Sequence, residues 1–132
     1  MTRRTALLVA PLLALSLVGL SGCGGGGGDA PSTSGAVTAQ GPADAQTATV
    51  VGNAMLKFAP ETVRAKVGTL RLTMTVEGGV PHNLVFDDAS LGAPIPTTPS
   101  GSATGTYTFT KPGTYRFECT IHSGMVGQVV VS

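Results

Sequence analysis

The chain has 132 residues, eight Lys or Arg against seven Asp or Glu, and a formal net charge of +1. A balance that close to neutral gives no strong field toward nucleic acid or an acidic substrate, and nucleic-acid binding is excluded as a leading reading. Nineteen Gly, nine Pro and no Trp leave room for one small domain rather than several.

The N-terminus carries Arg3 and Arg4, an apolar run from Ala6 to Leu20, and then Leu20-Ser-Gly-Cys23. About 20 apolar residues are needed to cross a bilayer, so this shorter run with small residues at its end reads as an export signal over residues 1–22. Leu-Ser-Gly-Cys is similar to the lipobox of bacterial lipoproteins, which implies cleavage before Cys23, lipidation of Cys23 and anchoring to the bacterial cell envelope, facing the periplasm or the exterior. Ordinary secretion with cleavage nearby is the alternative. Residues 23–46 follow as Gly, Ala, Pro, Ser, Thr and Gln with little charge and no apolar periodicity. They read as a flexible tether with a span on the order of 25 Å.

Residues 47–132 hold the folded domain, with six Lys or Arg and five Asp or Glu. Short β-branched and aromatic runs separated by Gly, Pro and Asn predict an all-β sandwich. Strands are expected at Ala48 to Val51, Thr62 to Val67, Leu84 to Phe86, Thr114 to Cys119 and Gly127 to Val131. Leu70, Leu72 and Met74 alternate with Arg71, Thr73 and Thr75, and Tyr107 and Phe109 alternate with threonines, so each of these strands has one buried and one solvated face. Asp87 to Gly105, with Pro94, Pro96 and Pro99, reads mostly as loop.

The chemistry concentrates in Cys119-Thr-Ile-His122-Ser-Gly-Met125, a thiol, an imidazole and a thioether within seven residues. Soft sulfurs favour Cu(I) and imidazole accepts either oxidation state, so the set suits one copper ion. Pro81-His82-Asn83 supplies a second imidazole. With Cys23 assigned to the lipid, Cys119 is a lone thiol in an exported protein; metal ligation, an intermolecular disulfide and an inert buried thiol each account for it. Taken alone, Met125 is more often a core filler and His82 more often a hydrogen-bonded surface residue than a ligand. Strand parity places Tyr115, Phe117 and Cys119 on one face, and His82, Leu84 and Phe86 on another. His82 opens its strand and Cys119 closes its own, so antiparallel pairing of the two strands brings both to one end of the sandwich.

At this point Gly113-Thr-Tyr-Arg-Phe-Glu-Cys119, Met125-Val-Gly-Gln-Val and Pro81-His-Asn-Leu-Val-Phe-Asp87 resemble the plastocyanin and amicyanin branch of the cupredoxins, the blue copper proteins. The ligand loop is as short as that of amicyanins. The resemblance implies a Greek-key β-sandwich of about seven to eight strands. It also implies a mononuclear type 1 copper held by His82, Cys119 and His122, with Met125 as a long axial ligand. Asn83 is then expected to tie the two ligand segments together, through the Cys119 sulfur or Thr120, with turn formation as its alternative role. The implied function is one-electron transfer without enzymatic turnover, by a monomeric domain that meets its redox partners transiently. His122 is the implied electron port, within an apolar surface drawn from Ile121, Met125, Val126, Pro81 and Met55. Ile121 stands where many relatives have Pro, and Glu118 where plant plastocyanins have an exposed Tyr, so a photosynthetic partner is not implied. A copper carrier that delivers metal to an oxidase is the alternative function.

Overall fold

A computed structural model describes residues 35–132, so the export signal and Cys23 lie outside the described residues. Ten strands form two sheets: β1 (Ala36–Thr38), β2 (Gln46–Gly52), β3 (Phe58–Ala59), β4 (Thr62–Ala65), β5 (Gly68–Val76), β6 (His82–Phe86), β7 (Ile95–Thr98), β8 (Gly101–Phe109), β9 (Gly113–Glu118) and β10 (Val126–Val131). One turn of 3-10 helix, Ala89–Leu91, lies between β6 and β7. The first sheet runs β1-β4-β10-β9-β6-β7 and the second β3-β2-β5-β8. This is a two-sheet β-sandwich of the kind the resemblance implied. The expected seven to eight strands are joined by short edge pieces that bring the number to ten.

Period-two alternation builds the interior. On β5, Leu70, Leu72, Met74 and Val76 are buried while Arg71 points out; on β8, Tyr107 and Phe109 are buried between exposed threonines. Phe86 links the sheets: its ring centroid lies 4.5 Å from that of Tyr107 and 5.4 Å from that of Phe117, and Phe58 meets Phe117 edge-on at 5.0 Å. Edge-to-face pairs of this kind add stability beyond the area they bury.

Two expectations change. The segment Asp87 to Gly105 is only partly loop, because β7 pairs antiparallel with β6, and β8 already begins at Gly101, where it pairs with Val76. Pro96 fits there because β7 is an edge strand with one unpaired side. The fold also begins upstream of Thr47. β1 lies parallel to β4, and the fully buried Gln46 donates from Nε2 to the carbonyls of Ala43 (3.1 Å) and Lys66 (3.0 Å) while its Oε1 accepts from the Lys66 amide (2.7 Å). A buried amide with all these partners locks β2 to the β4–β5 connection.

Candidate metal centre

β6 and β9 are antiparallel neighbours with Val85 opposite Glu118 and Phe86 opposite Phe117. His82, at the start of β6, and Cys119, just past the end of β9, therefore sit at the same end of the sandwich. The loop after Cys119 closes on itself. The Cys119 amide donates to the Met125 carbonyl (3.0 Å), the His122 amide to the Cys119 carbonyl (3.3 Å) and the Met125 amide to the His122 carbonyl (3.3 Å), with Gly124 at φ +78° making the return. These bonds carry His122 back over Cys119. Cys119 Sγ is 3.4 Å from His122 Nδ1 and 3.9 Å from His82 Nδ1, and one donor atom from each of the three residues lies within 4.8 Å of the others. Met125 ends the loop with its side chain fully buried.

His82 is held from two sides. Its Nε2 lies 3.1 Å from the backbone carbonyl of Asn53. A carbonyl only accepts, so Nε2 carries the proton and Nδ1 is left with its lone pair toward Cys119. Burial pulls the His82 pKa below its ordinary 6.5, partly opposed by the Asn53 hydrogen bond and reinforced by the neighbouring His122. The neutral, metal-binding form is thus the resting form. On the other side Gly52 approaches the ring so closely that a Cβ there would sit 2.6 Å from His82 Cδ2. Asn53 also caps its own loop: its Oδ1 accepts from the amides of Met55 (3.0 Å) and Lys57 (3.2 Å), and Leu56 takes φ +58°.

Asn83 joins the ligand segments through Thr120. Its Nδ2 donates to Thr120 Oγ1 and its Oδ1 accepts from the Thr120 amide, both at 2.8 Å. Of the two contacts expected for Asn83, the structure shows this reciprocal pair. Nearby, Arg116 donates to both carboxylate oxygens of Asp87 (3.0 and 3.1 Å) and to Glu118 (2.9 Å), so neither acid stands as a free charge beside the site.

Around this centre, Met55, Leu56, Ile121 and Val126 are exposed, and Pro81 is exposed beside them. Met125, expected among these surface residues, is instead fully buried. Gly52, the Asn53 carbonyl and Leu56 were not foreseen. Their one sequence signal is the Gly-Asn pair that closes β2, a turn signature whose spatial neighbour, 30 residues away, could not be read.

Two imidazole nitrogens and a thiol, converging and free of carboxylates, with His82 and Cys119 buried and His122 half-buried, fit copper. Residues 45–132 match the family described as copper binding proteins, plastocyanin/azurin family. The chain belongs to this family. It is 33% identical over 88 residues to the chloroplastic plastocyanin of Hordeum vulgare, covering 59% of this chain and 56% of that one. To plastocyanin A/B of Petroselinum crispum it is 33% identical over 87 residues, covering 58% of this chain and 89% of that one. The chain thus spans little more than half the length of the chloroplastic relatives. A Cu(I) form of an amicyanin variant superposes with a TM-score of 0.53 at 30% identity, over 65% of this chain and 82% of the other. A reduced form of a second amicyanin variant gives 0.53 at 29% identity, over 70% and 86%. Family and donor set together make the cofactor one copper ion.

Proposed function

We propose that the chain is a one-electron carrier whose copper would be held by His82, Cys119 and His122, with Met125 as a weaker fourth ligand. The observation that carries this reading is the convergence of three donor atoms within 4.8 Å in a frame already closed by hydrogen bonds. When bound, copper supplies a single electron that it takes up and gives back. The residues do the rest. Asn53 and Gly52 fix the ring of His82, and Asn83 with Thr120 clamps the first ligand strand to the ligand loop. Such outer contacts set ligand orientation and hold it constant. Cys119 and His82 are sealed from water, whereas His122 is only half-buried. Its imidazole edge is the place where the buried donor set meets solvent, and the apolar rim of Met55, Leu56, Ile121 and Val126 offers a partner protein a brief, weak contact.

The domain is anchored to the cell envelope through lipid on Cys23, on the strength of the Leu20-Ser-Gly-Cys23 motif. Delivery of copper to an oxidase is the competing reading. Handing over the metal requires an accessible site, and the burial of His82, Cys119 and Met125 weighs against it.

Reversible voltammetry with self-exchange measurement separates the two. A single one-electron wave with fast self-exchange supports the carrier. Tight Cu(I) binding, feeble Cu(II) binding and transfer of metal to a copper-free oxidase supports delivery. Met125→Leu is expected to keep copper and raise the potential; complete loss of copper on that change contradicts its role as the weaker fourth ligand.

A further inference from the structure

The chain upstream of the sandwich enters it heading away from the ligand end, because of β1. Ala36 lies opposite Thr62 and Thr38 opposite Arg64 on β4. Thr62 is in turn opposite Gln128, two residues past Val126, where β10 emerges from the ligand loop. Followed backwards from Thr38 to Ala36, the backbone therefore runs toward the metal centre. β2 has the opposite sense. Gly52 touches His82, and Gln46, at the other end of the strand, lies about 20 Å away at 3.3 Å per residue. A chain entering at Thr47 would suspend the domain by the end remote from the metal. β1 moves the point of attachment toward the ligand end.

This reversal is fastened at several points. The Ala39 amide donates to the Arg64 carbonyl (2.7 Å), and Gln40 and Thr47 exchange both backbone hydrogen bonds (2.8 and 2.7 Å). In the turn between them, the Ala43 carbonyl accepts from the Thr69 amide (2.8 Å) and from Gln46 Nε2 (3.1 Å). Gly68, at φ +135°, lets that carbonyl approach; any side chain there would strike it. Val37 and Ala39 pack against the core. β1 is thus part of the fold and not a stray contact of the tether.

We propose that β1 orients the domain on the membrane, with the ligand end toward the lipid, so that its electron partner is a redox protein embedded in or bound to that same membrane. The proposal rests on the reading of Cys23 as the lipid-bearing residue. From Cys23 to Gly35 there are about 12 residue steps, which reach at most ~43 Å even when fully extended. A tether running on to Gln46 would have nearly twice that reach and would pull from the opposite end. The end that β1 directs to the membrane is the one bearing Met55, Leu56, Ile121 and Val126, the four exposed large hydrophobic residues among the described residues. A partner whose electron-exchange group lies close above the lipid meets that rim without the domain having to turn over.

The test uses the full lipidated chain in its Cu(I) form, bound to lipid nanodiscs that carry a gadolinium-chelating headgroup, with paramagnetic broadening of backbone amides as the readout. Met55, Gly79 and Ser123, in loops of the ligand end, are expected to broaden several-fold more than Lys66 and Lys111 at the other end. Even broadening, or the reverse order, overturns the proposal. Ala39→Pro removes the donor that holds the end of β1 to Arg64 and is expected to level the profile; a variant that keeps the original bias also overturns it. A chain whose mass shows no lipid and that fails to bind the discs sinks the Cys23 reading and the orientation with it. That result is distinct from a lipidated chain with an even profile, which sinks the orientation alone.

Discussion

The two ends of the sandwich are made by the same strands yet expose different chemistry. At the ligand end, the loops after β2 and β9 show Met55, at 72% exposure, with Leu56 and Ile121, and Val126 opens β10 beside them. The turns at the remote end carry Lys66, Lys111 and the C-terminal Ser132, and none of the exposed large hydrophobics among the described residues lies there. The interiors differ in the same way. The ligand end buries polar donors whose lone pairs converge, and every one of its supporting hydrogen bonds serves to aim a ring or close a loop. The middle and remote end bury mainly Phe and Tyr rings and aliphatic side chains that fill space, with Gln46 as the buried polar group that ties β2 to Lys66. The lesson is that the metal chemistry is confined to one end of the strand axis. Substitutions remote from the ligands should leave the copper site alone, whereas those at the ligand end act on the metal and, where they cut a supporting hydrogen bond or crowd a ring, on stability as well.

The largest effect should come from Cys119→Ser, which removes the sulfur on which both imidazoles converge. Copper titration is expected to show loss of tight binding, with little change in the melting temperature of the copper-free protein; an unchanged affinity would break the distinction between the ends. Next is Asn83→Ala, which deletes both bonds to Thr120. Loss of an outer-contact residue typically lowers metal affinity about 10- to 100-fold. Two hydrogen bonds at ~1 kcal/mol each set the stability cost at about 2 kcal/mol, measurable by denaturant unfolding.

Similar in stability cost, but leaving the Asn83–Thr120 clamp intact, is Gly52→Ala. Its new methyl would meet the His82 ring at 2.6 Å, so the ring must shift. Overpacking of this kind costs roughly 1–3 kcal/mol. The copper spectrum of the variant should change as well, which a purely structural role for Gly52 would not produce.

The smallest effect belongs away from the ligands. The Tyr107 hydroxyl is buried without a well-formed hydrogen bond among the described residues, and burial raises its pKa to about 12. The unfolded phenol ionises near pH 10, so the folded state favours the neutral form. That contribution is complete below about pH 10 and is lost as pH rises toward 12. Denaturant midpoints at pH 9 and near pH 11.5 should therefore fall more for the parent chain than for Tyr107→Phe. At neutral pH the variant should match or slightly exceed the parent in stability, with an unaltered copper spectrum.

Much of this was legible in the sequence, and the reasons are local. The alternation of Leu70, Leu72 and Met74 and of Tyr107 and Phe109 follows from the two-residue period of a pleated strand, and the structure buries each of them. Parity and chain order bring His82 to Cys119 provided their strands pair antiparallel, and the β6–β9 pairing supplies that condition. What escaped notice depends on neighbours distant in sequence. β1 is three residues inside a Gly-, Ala- and Thr-rich stretch, and it becomes a strand only because β4 offers a free edge. β7 contains Pro96, which argues against a strand until the edge position is known. Gln46 looks like linker polarity, and its burial is explained only by Lys66, 20 residues on. The Asn53 carbonyl has no side-chain signature at all, although it decides which nitrogen of His82 is free.

The most direct test of the central claim is the visible absorption and electron paramagnetic resonance spectrum of the protein after one equivalent of Cu(II). Three donors fixed as His82, Cys119 and His122, with thiolate ligation, predict an intense visible charge-transfer band, a small copper hyperfine splitting and loss of both in Cys119→Ser. A colourless protein with an ordinary tetragonal copper signal would contradict the account and leave copper delivery as the better reading.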